Sequence, residues 1–118
     1  MAYFDRDTEV LPRAKLEALQ LHKLQAMLAH LWGRNRFYTD KWQQAGIEPA
    51  SVTSLADLAR LPLTRKTELL ADQASVGPFG TNCTYDTQSY VRLHQTSGTT
   101  GVPLRVLDTD ASWDWWGR

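Results

Sequence analysis

The spacing of apolar residues in this chain changes period once, and that change limits it to a mixed fold. Through residue 75 the apolar side chains recur at steps of three and four; beyond the loop "SVGPFGTN" they alternate. The first rhythm is that of an amphipathic helix and the second that of a strand. "LPRAKLEALQLHKLQAMLAHLW" sets Leu16, Leu19, Leu24, Met27, Leu28 and Leu31 on one stripe, with Pro12 in the first turn and Gly33 as the stop. Lys15, Glu17, Lys23 and Gln25 form the wet face of that helix. "NRFYTDKWQQAGI" predicts a shorter helix capped by Asn35, with Phe37, Tyr38, Trp42 and Ala45 on its apolar face and Gly46 ending it. A turn around Pro49 follows. "TSLADLARLP" then pairs Ser54 with Asp57 as a weak capping box, and "LTRKTELLADQ" predicts a helix capped by Thr64.

In "QSYVRLHQ", Val91 and Leu93 point one way and Tyr90, Arg92 and His94 the other. "PLRVL" is a second short strand, and the hexapeptide between the two makes them a candidate hairpin. "DTDASWDWWGR" opens a further helix capped by Asp110, and Asp108, Asp110 and Asp114 read as capping or solvated groups. The expected fold is therefore α/β (mixed), with a helical lead-in over residues 1–75, a strand–loop–strand unit over 88–107 and the start of a helix over 110–118. Two short strands make a poor sheet. Trp113, Trp115 and Trp116 crowd the last six residues and would expose a large aromatic area. Both features predict an incomplete domain.

The chain has 118 residues, enough for one small domain. Thirteen basic residues balance thirteen acidic ones without a dense basic patch, which argues against a nucleic-acid or anionic-membrane partner. Cys83 is the only cysteine, so no internal disulfide can form, and His22, His30 and His94 show no ligand spacing with it. No metal site is expected within the segment. Charges in "MAYFDRDTEV" and the lack of a long apolar run point to neither a signal peptide nor a membrane span. A cytoplasmic setting is expected.

"TSGTTG", residues 96–101, admits two readings from physics alone. A Gly/Ser/Thr connection between strands is an ordinary mobile hairpin loop. The same residues also suit an anion. Glycines at 98 and 101 allow positive φ and turn N–H groups inward, while four hydroxyls add donors. The Walker spacing with its Lys-Ser/Thr is absent, as is G-x-G-x-x-G.

The order of the residues narrows the choice. "TSGTTGVP" resembles the signature loop of the adenylate-forming superfamily of acyl-CoA synthetases. "RLHQTSGTTG", with its His two residues before the Thr, is similar to the phenylacetate–CoA ligase branch. So are "SLADLARLPLTRKTELLAD" and "FYTDKWQQAGI", so that the likeness runs from about Leu16 to Trp116. One position departs from the wider superfamily: Leu104 stands where many members carry Lys or Arg, and Arg105 follows it. The phenylacetate branch also tends to lack that basic residue. Arg105 itself reads as a solvated strand charge.

The resemblance implies an ATP-dependent, AMP-forming acid–CoA ligase. In that chemistry the acid's carboxylate oxygen attacks the α-phosphate of ATP, forming an acyl-adenylate and releasing pyrophosphate; the sulfur of coenzyme A then displaces AMP to give a thioester. Thr96, Ser97, Gly98, Thr99, Thr100 and Gly101 would orient the ATP phosphates with Mg²⁺. His94 is a candidate contact near the acyl or nucleotide pocket, or else a strand histidine bonded to a neighbour. The family's adenine motif, metal-binding Glu, ribose Asp and catalytic Lys lie beyond this stretch, so no catalytic residue is assigned within it and the segment alone is expected to be inactive. An aryl carboxylic acid, ATP and CoA are the implied small-molecule partners, with a homodimer for the full-length protein. Two alternatives stay open: a non-catalytic helical interaction module retaining the loop as a relic, and a related adenylyl-transferring enzyme of the same branch. A small phosphate-binding regulatory protein is a third, with nothing else in the sequence behind it.

Overall fold

A computed structural model describes residues 2–98 and 101–117. Helices α1 (Arg6–Glu9), α2 (Arg13–Leu31), α3 (Arg36–Gln44) and α4 (Lys66–Ser75) precede strands β1 (Arg92–Gln95) and β2 (Arg105–Asp108), and α5 (Asp110–Trp116) follows. Short 3-10 helices stand at Pro49–Ser51, Leu55–Arg60 and Thr87–Ser89. The mixed fold matches the expectation; the short α1, capped by Asp5, was not foreseen.

The core lies where α2 and α3 meet the Pro49–Ser51 turn. Leu28, Trp42 and Val52 are buried there, with Leu24, Leu31, Trp32, Tyr38 and Leu61 packed around them. Trp32 stacks on Trp42 with centroids 6.4 Å apart. Gln25 Nε2 donates to the Val52 carbonyl at 2.9 Å and ties the turn to α2. Met27 departs from the expected stripe and is 52% exposed. Residues 27 and 28 sit about 100° apart on a helix, and the core takes Leu28. Ala45 is also exposed.

Helix ends follow local chemistry. The side chain of Asn35 caps α3 by accepting the Tyr38 N–H at 3.1 Å. Asp57 accepts the N–H groups of Thr53 and Ser54, each at 2.9 Å, so the anticipated capping box forms on a 3-10 turn rather than an α-helix. Two caps fall one residue from the expected place. Arg65, not Thr64, precedes α4, its N–H held by Glu68 at 2.6 Å, and Thr109, not Asp110, caps α5 by accepting the Ser112 N–H.

The segment between α4 and β1 is pinned from several sides. Asp72 accepts both the N–H and the hydroxyl of Thr81, each at 2.7 Å. Asn35 Nδ2 donates to Asn82 and Thr84, and the Tyr90 hydroxyl accepts the Thr84 and Tyr85 N–H groups. Arg34 donates to His30 Nδ1, which leaves Nε2–H to donate to the Tyr85 hydroxyl at 2.8 Å and fixes the ring's tautomer. Among the described residues no helix is long and apolar enough to cross a membrane.

Candidate functional site

The two strands form the anticipated antiparallel hairpin, with Arg92 opposite Asp108, Leu93 opposite Leu107, His94 opposite Val106 and Gln95 opposite Arg105. Its tip is the hexapeptide. The ladder continues one step past the strands: Thr96 N–H donates to the Leu104 carbonyl at 3.0 Å, and Leu104 N–H returns a bond to Thr96 Oγ1 at 2.9 Å. The threonine hydroxyl thus closes the hairpin as an acceptor and keeps its proton for a further partner.

Gly98 has φ +64° and Gly101 φ +106°, both in the region that L side chains avoid. A Cβ at Gly98 would sit 3.3 Å from the Pro103 nitrogen, so the chain turns back tightly here. Gly101 N–H donates to the Gly98 carbonyl at 2.7 Å and is occupied in closing that turn. This qualifies the expectation that both glycines free their N–H groups for an anion. Ser97 is exposed at the tip. Thr99 and Thr100, also assigned to the phosphates, lie outside the described residues. What the described tip offers an anion is two hydroxyls on a backbone whose glycines permit close approach, which fits a phosphate chain in part.

Leu104 is 9% exposed and lines a groove of about 520 Å³ with Leu69, Phe79, Leu107 and Trp115. A cation is poorly suited to that place, a physical reason for leucine where many superfamily members are basic. Arg105 is exposed, as expected of a solvated strand charge, but its contacts go beyond that expectation. Its guanidinium donates to the Pro78 carbonyl at 3.1 Å, while the Gln73 side-chain amide pairs with both its N–H and its C=O, at 3.1 and 2.6 Å. Gln73 thereby occupies part of the outer edge of β2 as a neighbouring strand would.

His94 Nε2 lies 3.1 Å from Asp108 Oδ2, and the ring lines a groove of about 510 Å³ with Val106, Asp108, Trp113 and Trp116. Its ring stacks on Trp113 with centroids 5.0 Å apart, and the Arg92 guanidinium lies 4.4 Å from that indole. Asp108 corrects the sequence reading: it is buried, with Oδ1 accepting the Ser112 hydroxyl at 2.9 Å, and neither caps a helix nor faces solvent. The signal that could have found the His94–Asp108 pair is the strand alternation, which places 92, 94, 106 and 108 on one face once the hairpin register is drawn. Burial, with help from Asp72, pushes the Cys83 thiol up, which disfavours the reactive thiolate. Among the described residues no three His, Cys, Asp or Glu side chains gather as a metal cluster.

No protein-family model matches the chain. It is 37% identical to a phenylacetate-coenzyme A ligase of Thermus thermophilus, over 87% of this chain and 22% of that protein. With the enzyme of the same name from Pseudomonas putida it shares 32% identity over 98% of this chain and 27% of the relative, and with that of Escherichia coli 34% over 88% and 23%. The chain thus spans about a quarter of the length of these curated relatives. Among solved structures it superposes on 2-hydroxyisobutyryl-CoA ligase in complex with 2-HIB-AMP and CoA, with TM-score 0.81 and 36% identity, covering 87% of this chain and 22% of that one. An open conformation of that ligase gives TM-score 0.80 at 33% identity. The resemblance to the phenylacetate–CoA ligase branch therefore holds in sequence, and the fold is that of the N-terminal portion of an adenylate-forming ligase.

Proposed function

We propose that residues 1–118 are the phosphate-loop end of an AMP-forming acid–CoA ligase, acting on an aryl acid of the phenylacetate kind with ATP, Mg²⁺ and CoA. The observation that carries this reading is the hairpin tip. "TSGTTGVP" closes its turn with Gly98 and Gly101 at positive φ and presents the Thr96 and Ser97 hydroxyls beside them. Donors fixed in place before the ligand arrives stabilise charge developing on a departing pyrophosphate better than donors that must reorganise. Thr96, Ser97, Gly98 and Gly101, together with Thr99 and Thr100, would hold the β- and γ-phosphates for in-line attack. The side chains that complete the acyl and adenine sites are assigned to the rest of the protein.

A second reading has an observation of its own. The superposed ligase was solved with a 2-hydroxyisobutyryl adenylate, so a short hydroxy acid competes with the aryl acid as substrate. The test is to make the protein encoded by the complete reading frame containing these residues. It is then supplied with ATP, Mg²⁺, CoA and either phenylacetate or 2-hydroxyisobutyrate, with pyrophosphate and thioester measured. Phenylacetyl-CoA supports the first reading and the hydroxyacyl thioester the second. Absence of acid-dependent pyrophosphate release from folded protein would overturn both.

A further inference from the structure

His94 stands two residues before the loop and joins its own strand to two other elements. From β1 it reaches across the hairpin to Asp108 at the end of β2, and it stacks on Trp113 of α5. Asp108 is only 8% exposed, and its two oxygens are divided between Ser112 of α5 and His94. Removing the imidazole would take away the group that faces Asp108 Oδ2 and open that carboxylate to water. The aromatic stack adds a second hold on the same ring.

We propose that His94 is a positioning residue for the described part of the hairpin tip, Thr96, Ser97 and Gly98: acting through Asp108 and Trp113, it fixes the two strands against α5 and so sets where those residues stand. The proposal rests on the phosphate reading of that tip. His94 makes no phosphate contact in this scheme. Its effect reaches the ligand through the Thr96–Leu104 closure, two residues along the same strand.

The experiment uses the protein from the complete reading frame, as wild type, His94→Ala and His94→Gln. Glutamine keeps an Nε2 donor at similar reach but has no ring. Two quantities are read: amide hydrogen exchange at Thr96 and Leu104 compared with α2 and α3, and affinity for MgATP. In His94→Ala, exchange at Thr96 and Leu104 should quicken by about tenfold or more, with α2 and α3 unchanged and MgATP affinity falling by a similar factor. His94→Gln should recover part of both, the share held through Asp108, and no recovery of either would confine the role to the Trp113 stack and overturn the part assigned to Asp108. Equal acceleration in α2 and α3 would mark a general loss of stability and overturn the proposal. So would unchanged MgATP affinity in a protein whose wild type binds it. A wild type that binds no MgATP removes the phosphate reading, and the positioning role with it, while the exchange contrast still shows separately whether His94 grips the hairpin.

Discussion

Two side chains show how much of this fold is held by single polar groups. Asp57 accepts from the Thr53 and Ser54 N–H groups and the Ser54 hydroxyl, and these bonds, with Arg60 nearby, lower its pKa from 3.8 to about 2. The folded form thus binds its proton more weakly than the unfolded form. The resulting stability is fully present above 3.8 and is lost as pH falls towards 2. An NMR titration of the Asp57 carboxyl should show a midpoint well below 3.8, and Asp57→Asn should flatten the acid limb of the stability curve between those values. A midpoint near 3.8 would mean the capping bonds do not form. Asn35 makes a different point. Aspartate is as good a cap as asparagine in general. Here, however, the Asn35 Nδ2 donates to Asn82 and Thr84, and the residue is 3% exposed. Asn35→Asp keeps the acceptor for Tyr38 but sets a carboxylate oxygen against the Asn82 amide oxygen, while the Thr84 hydroxyl can turn to donate. It should cost about 1–3 kcal/mol in urea denaturation. An unchanged midpoint would show that the link from α3 to residues 82–84 contributes nothing.

At the scale of elements, the hairpin depends on its glycines in a way that can be tested against a neutral site. Gly98→Ala puts a Cβ on a positive-φ backbone, at a cost of roughly 1–2 kcal/mol, and also brings it against Pro103. Gly117 has φ −79°, and a Cβ there would meet only ordinary contact at 3.6 Å from the Asp114 carbonyl. Exchange at Thr96 and Leu104 should therefore quicken in Gly98→Ala and stay put in Gly117→Ala. Equal behaviour would remove the turn geometry from the account of the loop. The hairpin, the α3 cap and the stops at Gly33 and Gly46 were legible in the sequence because each depends on residues close along the chain. The exposure of Met27 was not, since the turn at 49–52 chooses the buried stripe of α2 from outside it. Gln73 on the edge of β2 was equally hidden. Nothing in "LLADQ" marks one amide as a substitute strand until α4 lies beside Arg105. The loop residues of the candidate site could be named by their order, whereas the His94–Asp108–Trp113 group required the hairpin register and the placement of α5.

For the whole molecule, the Cα radius of gyration of 16.7 Å exceeds the value of about 13.5 Å expected for a compact domain of this length. The chain is spread out, and Trp115 and Trp116 are 69% and 77% exposed. A polypeptide of residues 1–118 alone therefore has little enclosed volume with which to hold a nucleotide. At the described part of the tip, Gly101 N–H is already bonded and Thr96 Oγ1 already accepts the Leu104 N–H. Three or four charge-assisted hydrogen bonds at about 1.5–3 kcal/mol each would oppose association costs of roughly 4–15 kcal/mol. Even millimolar affinity requires a net of about −4 kcal/mol. Calorimetry of this polypeptide with MgATP should accordingly show no saturable binding below about 1 mM. The protein from the complete reading frame should bind more tightly, because an adenine site would add burial that the loop lacks. Saturable submillimolar binding by residues 1–118 would mean that the hairpin tip is an anion site in its own right, and would move the regulatory phosphate-binding reading ahead of the ligase.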